Sequence, residues 1–190
     1  TARKLREAGV LGLNERNAEF IMRLNPRRLY PRVDDKALTK QLALEAGMAE
    51  QLAEIDRIAA NPAEPTFENT IAELERAGRT LARVATGYGV YASTLNDETV
   101  QAVERAIEPK LAASRDQIFQ NEALFNRIEQ VYESRDTAGL TPEQQRLTWK
   151  YYTDFVRAGA RLDADSKKRL AEINQELALL FTAFSQNVLK

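Results

Sequence analysis

The chain contains no cysteine and no histidine. The first absence excludes disulfides, thiolate metal sites and thiol nucleophiles, and it is compatible with a reducing compartment. The second removes the commonest metal ligand and the commonest general base, which a chain of 190 residues would ordinarily carry several times over. No apolar run approaches the length of a membrane span, and the basic N-terminus lacks the apolar segment of a secretory signal. The chain therefore reads as cytoplasmic, with no membrane partner. Neither sign of charge is in excess: 27 Lys plus Arg face 28 Asp plus Glu, which argues against a nucleic-acid binder. Residues 1–36 are nevertheless net basic, carrying nine basic and five acidic side chains. Strand alternation, a glycine loop for nucleotide phosphates and a repeat of fixed period are missing as well.

What is present is helical periodicity from end to end. In the last segment Leu170, Ile173, Leu177, Leu180, Phe181, Phe184 and Val188 recur every three or four residues and predict one buried stripe. Asp163 is placed to cap this helix, and Lys167, Lys168, Arg169, Glu172 and Glu176 fill the opposite face. Thr141-Pro142-Glu143-Gln144 combines an N-cap hydroxyl, a proline at the first helical position and a glutamine able to close a capping box. The helix it opens should reach Ala158, where Gly159 offers a left-handed end. Asn121 is expected to cap a helix that buries Leu124, Phe125, Ile128, Val131 and Tyr132 and ends at Gly139.

Asp97 opens residues 97–120, where Pro109 predicts one bent helix or two short ones broken near Ala106. Thr66 caps a helix carrying Ile71, Leu74, Leu81 and Val84, whose last turns Gly87 and Gly89 weaken. Asp34 or Asp35 opens a helix that passes through Gly47 as far as Ala60, since one interior glycine costs only about 1 kcal/mol relative to alanine. The first 33 residues are choppier, with a short helix ending at Gly9, an Asn14-capped helix, and breaks at Asn25-Pro26 and Tyr30-Pro31. The expected fold is all-α, a multi-helix bundle or array of about seven helices with residues 66–190 as its principal core. Two regions are expected, 1–47 and 48–190, forming one continuous domain if the helix over 35–60 is unbroken.

The stretches "EAGMAEQLAEIDRIAANPAEPTFENTIAELERAG", "AIEPKLAASRDQIFQN", "LTPEQQRLTWKYYTDFVRAGARLDADSKKRLAEINQELALL" and "FSQNVL" carry a family signal in their order and spacing. From roughly residue 45 to 190 the chain resembles the N-terminal helical part of thimet-oligopeptidase-like zinc metallopeptidases, the group containing oligopeptidase A and bacterial peptidyl-dipeptidase. That resemblance implies helices forming one wall of a deep peptide channel. The family's zinc is held by a His-Glu-x-x-His helix and a further Glu, and none of those positions exists here, so no zinc ligand is carried over. Residues 5–47, "GVLGLNERNAEFIMRLNPRRLYPRVDDKALTKQLALEAG" with Asp35, Lys36, Thr39 and Lys40, resemble the opening of ATP-grasp ligases of the α-L-glutamate-ligase-like type. The later ATP-site lysines and magnesium ligands of that family have no counterpart, and ligase activity is not expected.

The two resemblances meet near Gly47, where "LEAG" suits both and keeps the helical phase. Together with the missing Met start, His and Cys, this makes an engineered or recombined chimera the leading explanation, with a natural fusion or a fragment as the rival. Individual candidates have plain alternatives. Asp34, Asp35 and Lys36 suit a helix start better than a nucleotide contact, and Arg27, Arg28, Tyr30 and Arg32 suit a solvated basic turn better than a phosphate site. Glu73 and Glu75 with Arg76 and Arg79, and Asp163 and Asp165 with Lys167 and Lys168, have the spacing of exposed helix ion pairs. Trp149, Tyr151, Tyr152 and Phe155 are expected to pack rather than to line a peptide groove. The resulting expectation is a non-catalytic structural or interaction protein with no catalytic, cofactor or metal residues and no cofactor. Its expected partner is a second copy, through the Phe181, Phe184 and Val188 end of the last helix and the Tyr88–Tyr91 region. The alternative is an N-terminal fragment of a zinc-dependent oligopeptidase, partnered by a peptidase catalytic half.

Overall fold

The computed structural model describes residues 33–95 and 97–188, and the elements expected in residues 1–32 lie outside them. The described residues are helical without a strand: α1 (Val33–Ala59), a π-helical turn (Phe67–Ala72) running into α2 (Glu73–Arg76), α3 (Arg79–Leu95), α4 (Glu98–Phe119), α5 (Glu122–Ser134), α6 (Pro142–Arg157) and α7 (Ala164–Val188). The all-α expectation is met.

Local chemistry explains most boundaries. The side chains of Asp97, Asn121 and Asp163 each accept from the backbone N–H three residues on, at 2.9 Å, satisfying donors that the first turn leaves free. Thr141 and Gln144 close a reciprocal box, with Pro142 behind it. At the far end of α6, Gly159 takes φ +92° and the Ala160 N–H reaches back to the Phe155 carbonyl at 3.0 Å, ending the helix in a left-handed cap.

Two boundaries differ from expectation. The helix opened by Thr66 is interrupted: Ala77 is extended (ψ 150°) and Gly78 turns left-handed (φ +73°), so α3 starts afresh at Arg79. A carboxylate oxygen of Glu54 on α1 accepts from the Gly78 N–H at 2.7 Å and holds this break. Gly87 and Gly89 lie within the second half of α3, which continues to Leu95. Pro109 lies inside a single α4, the one-helix alternative of the two expected, and α1 and α7 pack against it. The helix after Asn121 stops at Ser134, and hydrogen-bonded turns carry the chain to Gly139 at φ +68°.

Helix α1 spans 27 residues, about 40 Å, and joins two apolar clusters. Its middle contributes Leu44 and Met48 to a cluster with Val84, Tyr88, Val103 and Ile107 from α3 and α4. Its second half contributes Ile55 and Ile58 to a larger cluster with Ile71, Leu74, Leu124, Phe125, Ile128, Val131 and Phe155. The core therefore begins before residue 66, contrary to expectation, because α1 is the element both clusters share. It runs unbroken through Gly47, where α1 and α3 approach so closely that a Cβ would stand 3.0 Å from the Leu81 Cα.

The largest departure concerns α7. The face it presents to α4 carries Lys167, Thr182 and Gln186, all buried, together with Asn174, which donates to Asp116 at 2.7 Å. The predicted buried stripe is turned outward instead, with Phe181, Phe184 and Val188 each about two-thirds exposed, at 66%, 67% and 68%. The reason lies on α4, which offers α7 polar partners: the Gln101 carbonyl, Glu104 and Asp116. Polar groups of α7 that would be costly to bury alone find their partners there.

Candidate functional site

Where α1, α2, α4 and α6 converge, between the two clusters, lies an apolar hollow of about 260 Å³ lined by Gln51, Leu74, Leu81, Ser114, Tyr151 and Phe155 among others. The Ser114 hydroxyl is buried and makes no hydrogen bond among the described residues. Tyr151 donates from its hydroxyl to Glu75 at 2.7 Å; burial, then this carboxylate, pushes the phenol well above its ordinary range. With its carboxylate neighbour accepting the proton's hydrogen bond, Tyr151 is a held donor and not a base at neutral pH.

A second, more polar and open hollow is lined by Glu54, Arg57, Asn61, Glu68, Glu73 and Arg76. Near it, Arg127 of α5 is only 6% exposed and ties down the Asn61–Thr70 connection. Its guanidinium donates to the carbonyls of Asn61 (2.7 Å) and Ala63 (2.9 Å), to the Asn69 side-chain oxygen (2.9 Å) and to the Thr70 hydroxyl (3.3 Å). Burial pulls its pKa down and the Glu64 charge opposes that pull. Sequence reasoning missed Arg127. Its signal was a cation at the i+3 position of the stripe Leu124, Ile128, Val131, where only a side chain with built partners can sit.

The Arg76–Glu73 pair forms at 2.6 Å on the surface, while Glu75 serves Tyr151. Lys167 pairs with Glu122 at 3.0 Å and not with the aspartates preceding it, because it is buried under α7 where Glu122 reaches it. Asp163 is occupied as the α7 cap, which holds its carboxyl below the usual range through the Ser166 backbone and hydroxyl. Phe155 is buried, Tyr152 stacks on Tyr132 at 3.9 Å between ring centroids, and Trp149 alone of that aromatic group is exposed, at 46%. Tyr88 is buried and so leaves the proposed exposed patch, and Tyr91 lies beneath the Lys40 ammonium, 3.6 Å from its ring centroid. Arg27, Arg28, Tyr30, Arg32 and the side chains of Asp34, Asp35 and Lys36 lie outside the described residues.

A zinc centre does not fit this chain. Its sequence holds no His or Cys, and among the described residues no three carboxylates converge as a metal site would require. No helix among the described residues is long and apolar enough to cross a membrane.

No family profile matches the chain. Its relatives are peptidases. It is 35% identical over 147 residues to a dipeptidyl carboxypeptidase of Salmonella typhimurium and 35% identical over 147 residues to that of Escherichia coli, in each case 77% of this chain. An organellar oligopeptidase A of Arabidopsis thaliana is 25% identical over 126 residues, 66% of this chain and 16% of its own length. The chain spans 22% of the length of the two bacterial relatives. The resemblance of residues 45–190 to the peptidases is thus matched by relatives, whereas the ATP-grasp resemblance of residues 5–47 and the chimera it implied receive no support from them.

Proposed function

We propose that this helical array is the non-catalytic, channel-wall part of a zinc-dependent oligopeptidase, working in a cytoplasmic setting with a catalytic part that supplies the zinc ligands. The observation that carries the reading is the similarity to two dipeptidyl carboxypeptidases over three-quarters of the chain, in a sequence without a single histidine. The two-cluster architecture supports it: α1 bridges both clusters, and Arg127 fastens the proline-containing connection, which together make a stiff scaffold. Stiffness is what a wall that positions a substrate requires. On this reading the catalytic part is the partner and the chain alone is not an enzyme.

Co-expression with the catalytic remainder of a bacterial dipeptidyl carboxypeptidase tests this. Peptide cleavage that needs both chains and zinc is the expected result. Cleavage by the purified chain alone, or a catalytic remainder equally active without it, overturns the reading. The earlier expectation of a self-contained engineered chimera has nothing among the relatives to support it.

A further inference from the structure

The hollow between the two apolar clusters is left unfilled, whereas protein interiors ordinarily close such space. Its walls are of two kinds. Phe119, Tyr151 and Phe155 supply aromatic rings, and Leu74, Leu81 and Leu111 supply branched aliphatic side chains. A protein cavity of about 150 Å³ lined by Leu, Ile and Phe takes up benzene. This hollow, at about 260 Å³, has room for a second fused ring. One group inside it is out of keeping with an empty apolar space. Ser114 is 7% exposed, and its Oγ is the buried polar side-chain atom of the lining that has no hydrogen-bond partner among the described residues. A ligand carrying a single polar atom would supply that partner.

We propose that the hollow is a binding site for an uncharged bicyclic aromatic molecule of the indole type, its ring between the aromatic and leucine walls and its N–H donated to Ser114 Oγ. The charges around the site argue for a neutral ligand. Arg115 is the charged lining residue; it is exposed, and its guanidinium lies over the Phe119 ring, 5.3 Å from the centroid. Against this cation stand Asp116, the next residue on α4, and Glu75, which the Tyr151 hydroxyl brings to the other side. A carboxylate would meet Glu75 and an ammonium would meet Arg115, so neither sign gains. The Tyr151 hydroxyl is already committed to Glu75, which leaves its ring for stacking and Ser114 for the ligand's polar atom. All of these walls belong to this chain, so the site does not rest on the peptidase reading.

Titration of the full chain with indole and with indene, the same bicycle without the N–H, tests this by amide NMR shifts. Both should give saturable shifts centred on Leu111, Ser114, Tyr151 and Phe155, with indole bound more tightly. Ser114→Ala should weaken indole by about threefold to tenfold and leave indene unchanged. Leu111→Phe, which fills the hollow, should abolish both, and Ser114→Leu fills it from the neighbouring turn of α4 should the first variant fail to fold. No saturable binding, shifts confined to the exposed flank of α7, or indole binding that survives both filled variants would overturn the site. Equal affinity of indole and indene would show Ser114 turned back to the Lys110 carbonyl and overturn its role. Indole-3-acetate binding more tightly than indole would overturn the choice of a neutral ligand.

Discussion

Helices α5 and α7 carry apolar stripes of similar regularity and use them in opposite ways. In α5 the stripe is buried, with Leu124 and Ile128 at 0% exposure and Phe125 at 5%, and the cation on that face, Arg127, donates from both Nη atoms while its buried Nε has no partner among the described residues. In α7 the stripe is exposed while Lys167, Thr182 and Gln186 are buried. Periodicity therefore identifies a face that wants covering, but whether this chain covers it depends on what the neighbouring helix offers. Helix α6 offers α5 the aromatic wall of Tyr152 and Phe155; α4 offers α7 carboxylates and the Gln101 carbonyl.

The contrast breaks most sharply in the core. Phe155→Ala removes a ring packed against Phe119 at 4.7 Å between centroids and should lower unfolding stability by about 3–5 kcal/mol. Phe184→Ala, measured at concentrations too low for association, should change it by no more than about 0.5 kcal/mol. Urea denaturation of the two variants decides the matter, and equal losses would show that α7 buries its stripe after all.

Next in size is Arg127→Met, which leaves the Asn61 and Ala63 carbonyls without their donor and should cost about 3 kcal/mol. The loss should be accompanied by faster amide hydrogen exchange confined to the Asn61–Thr70 connection and the following π-helical turn. Uniformly faster exchange would make Arg127 an ordinary packing residue.

Much of this architecture was legible in the residues themselves. Capping chemistry is local, so Asp97, Asn121, Thr141 and Gly159 mark their boundaries without reference to the rest of the molecule. The break at Gly78 was not legible, because it depends on Glu54, 24 positions away, to hold the amide. At Gly87 and Gly89 local propensity weakens the helix, and packing of the neighbouring Val84 and Tyr88 accompanies its continuation to Leu95. As for the site, the Arg127 clamp and the Ser114 hollow needed distant segments to be brought together and so could not be read from the sequence.

Those glycines yield a milder prediction. Nothing lies within 4 Å of a Cβ built on Gly87 or Gly89, so Gly87→Ala should stabilise the chain by up to about 1 kcal/mol through helix propensity. Gly47→Ala should not share that gain, since its methyl would press on the Leu81 backbone. Thermal melts that rank the two variants the other way would show that α1 and α3 can part without cost.

The smallest expected effect is electrostatic and lies where α3 meets α4. Glu108 has its carboxyl pKa raised from 4.5, first by burial and then by the Glu104 charge one turn earlier on α4. A folded-state pKa above the unfolded value means that the folded protein binds the proton more tightly. The stability linked to this group is therefore fully present below its unfolded pKa and is lost as pH rises through its folded pKa. Glu45 behaves in the opposite sense: burial raises its pKa, but hydrogen bonds from Lys110 and Gln41 and the Lys110 charge outweigh it and leave the value lowered. Its contribution is present above the unfolded pKa and lost as pH falls through the folded one. Replacing Glu108 with Gln removes only the first of these. The Glu108→Gln chain should then have a higher urea midpoint than the wild type at neutral pH, by a few tenths of a kcal/mol once solvent screening is allowed for. The two curves should converge below about pH 4.5, where wild-type Glu108 carries its proton in both states. A variant less stable than wild type at neutral pH would mean that ionised Glu108 has a cationic partner in solution, and the carboxylate pair on α4 would lose its destabilising role.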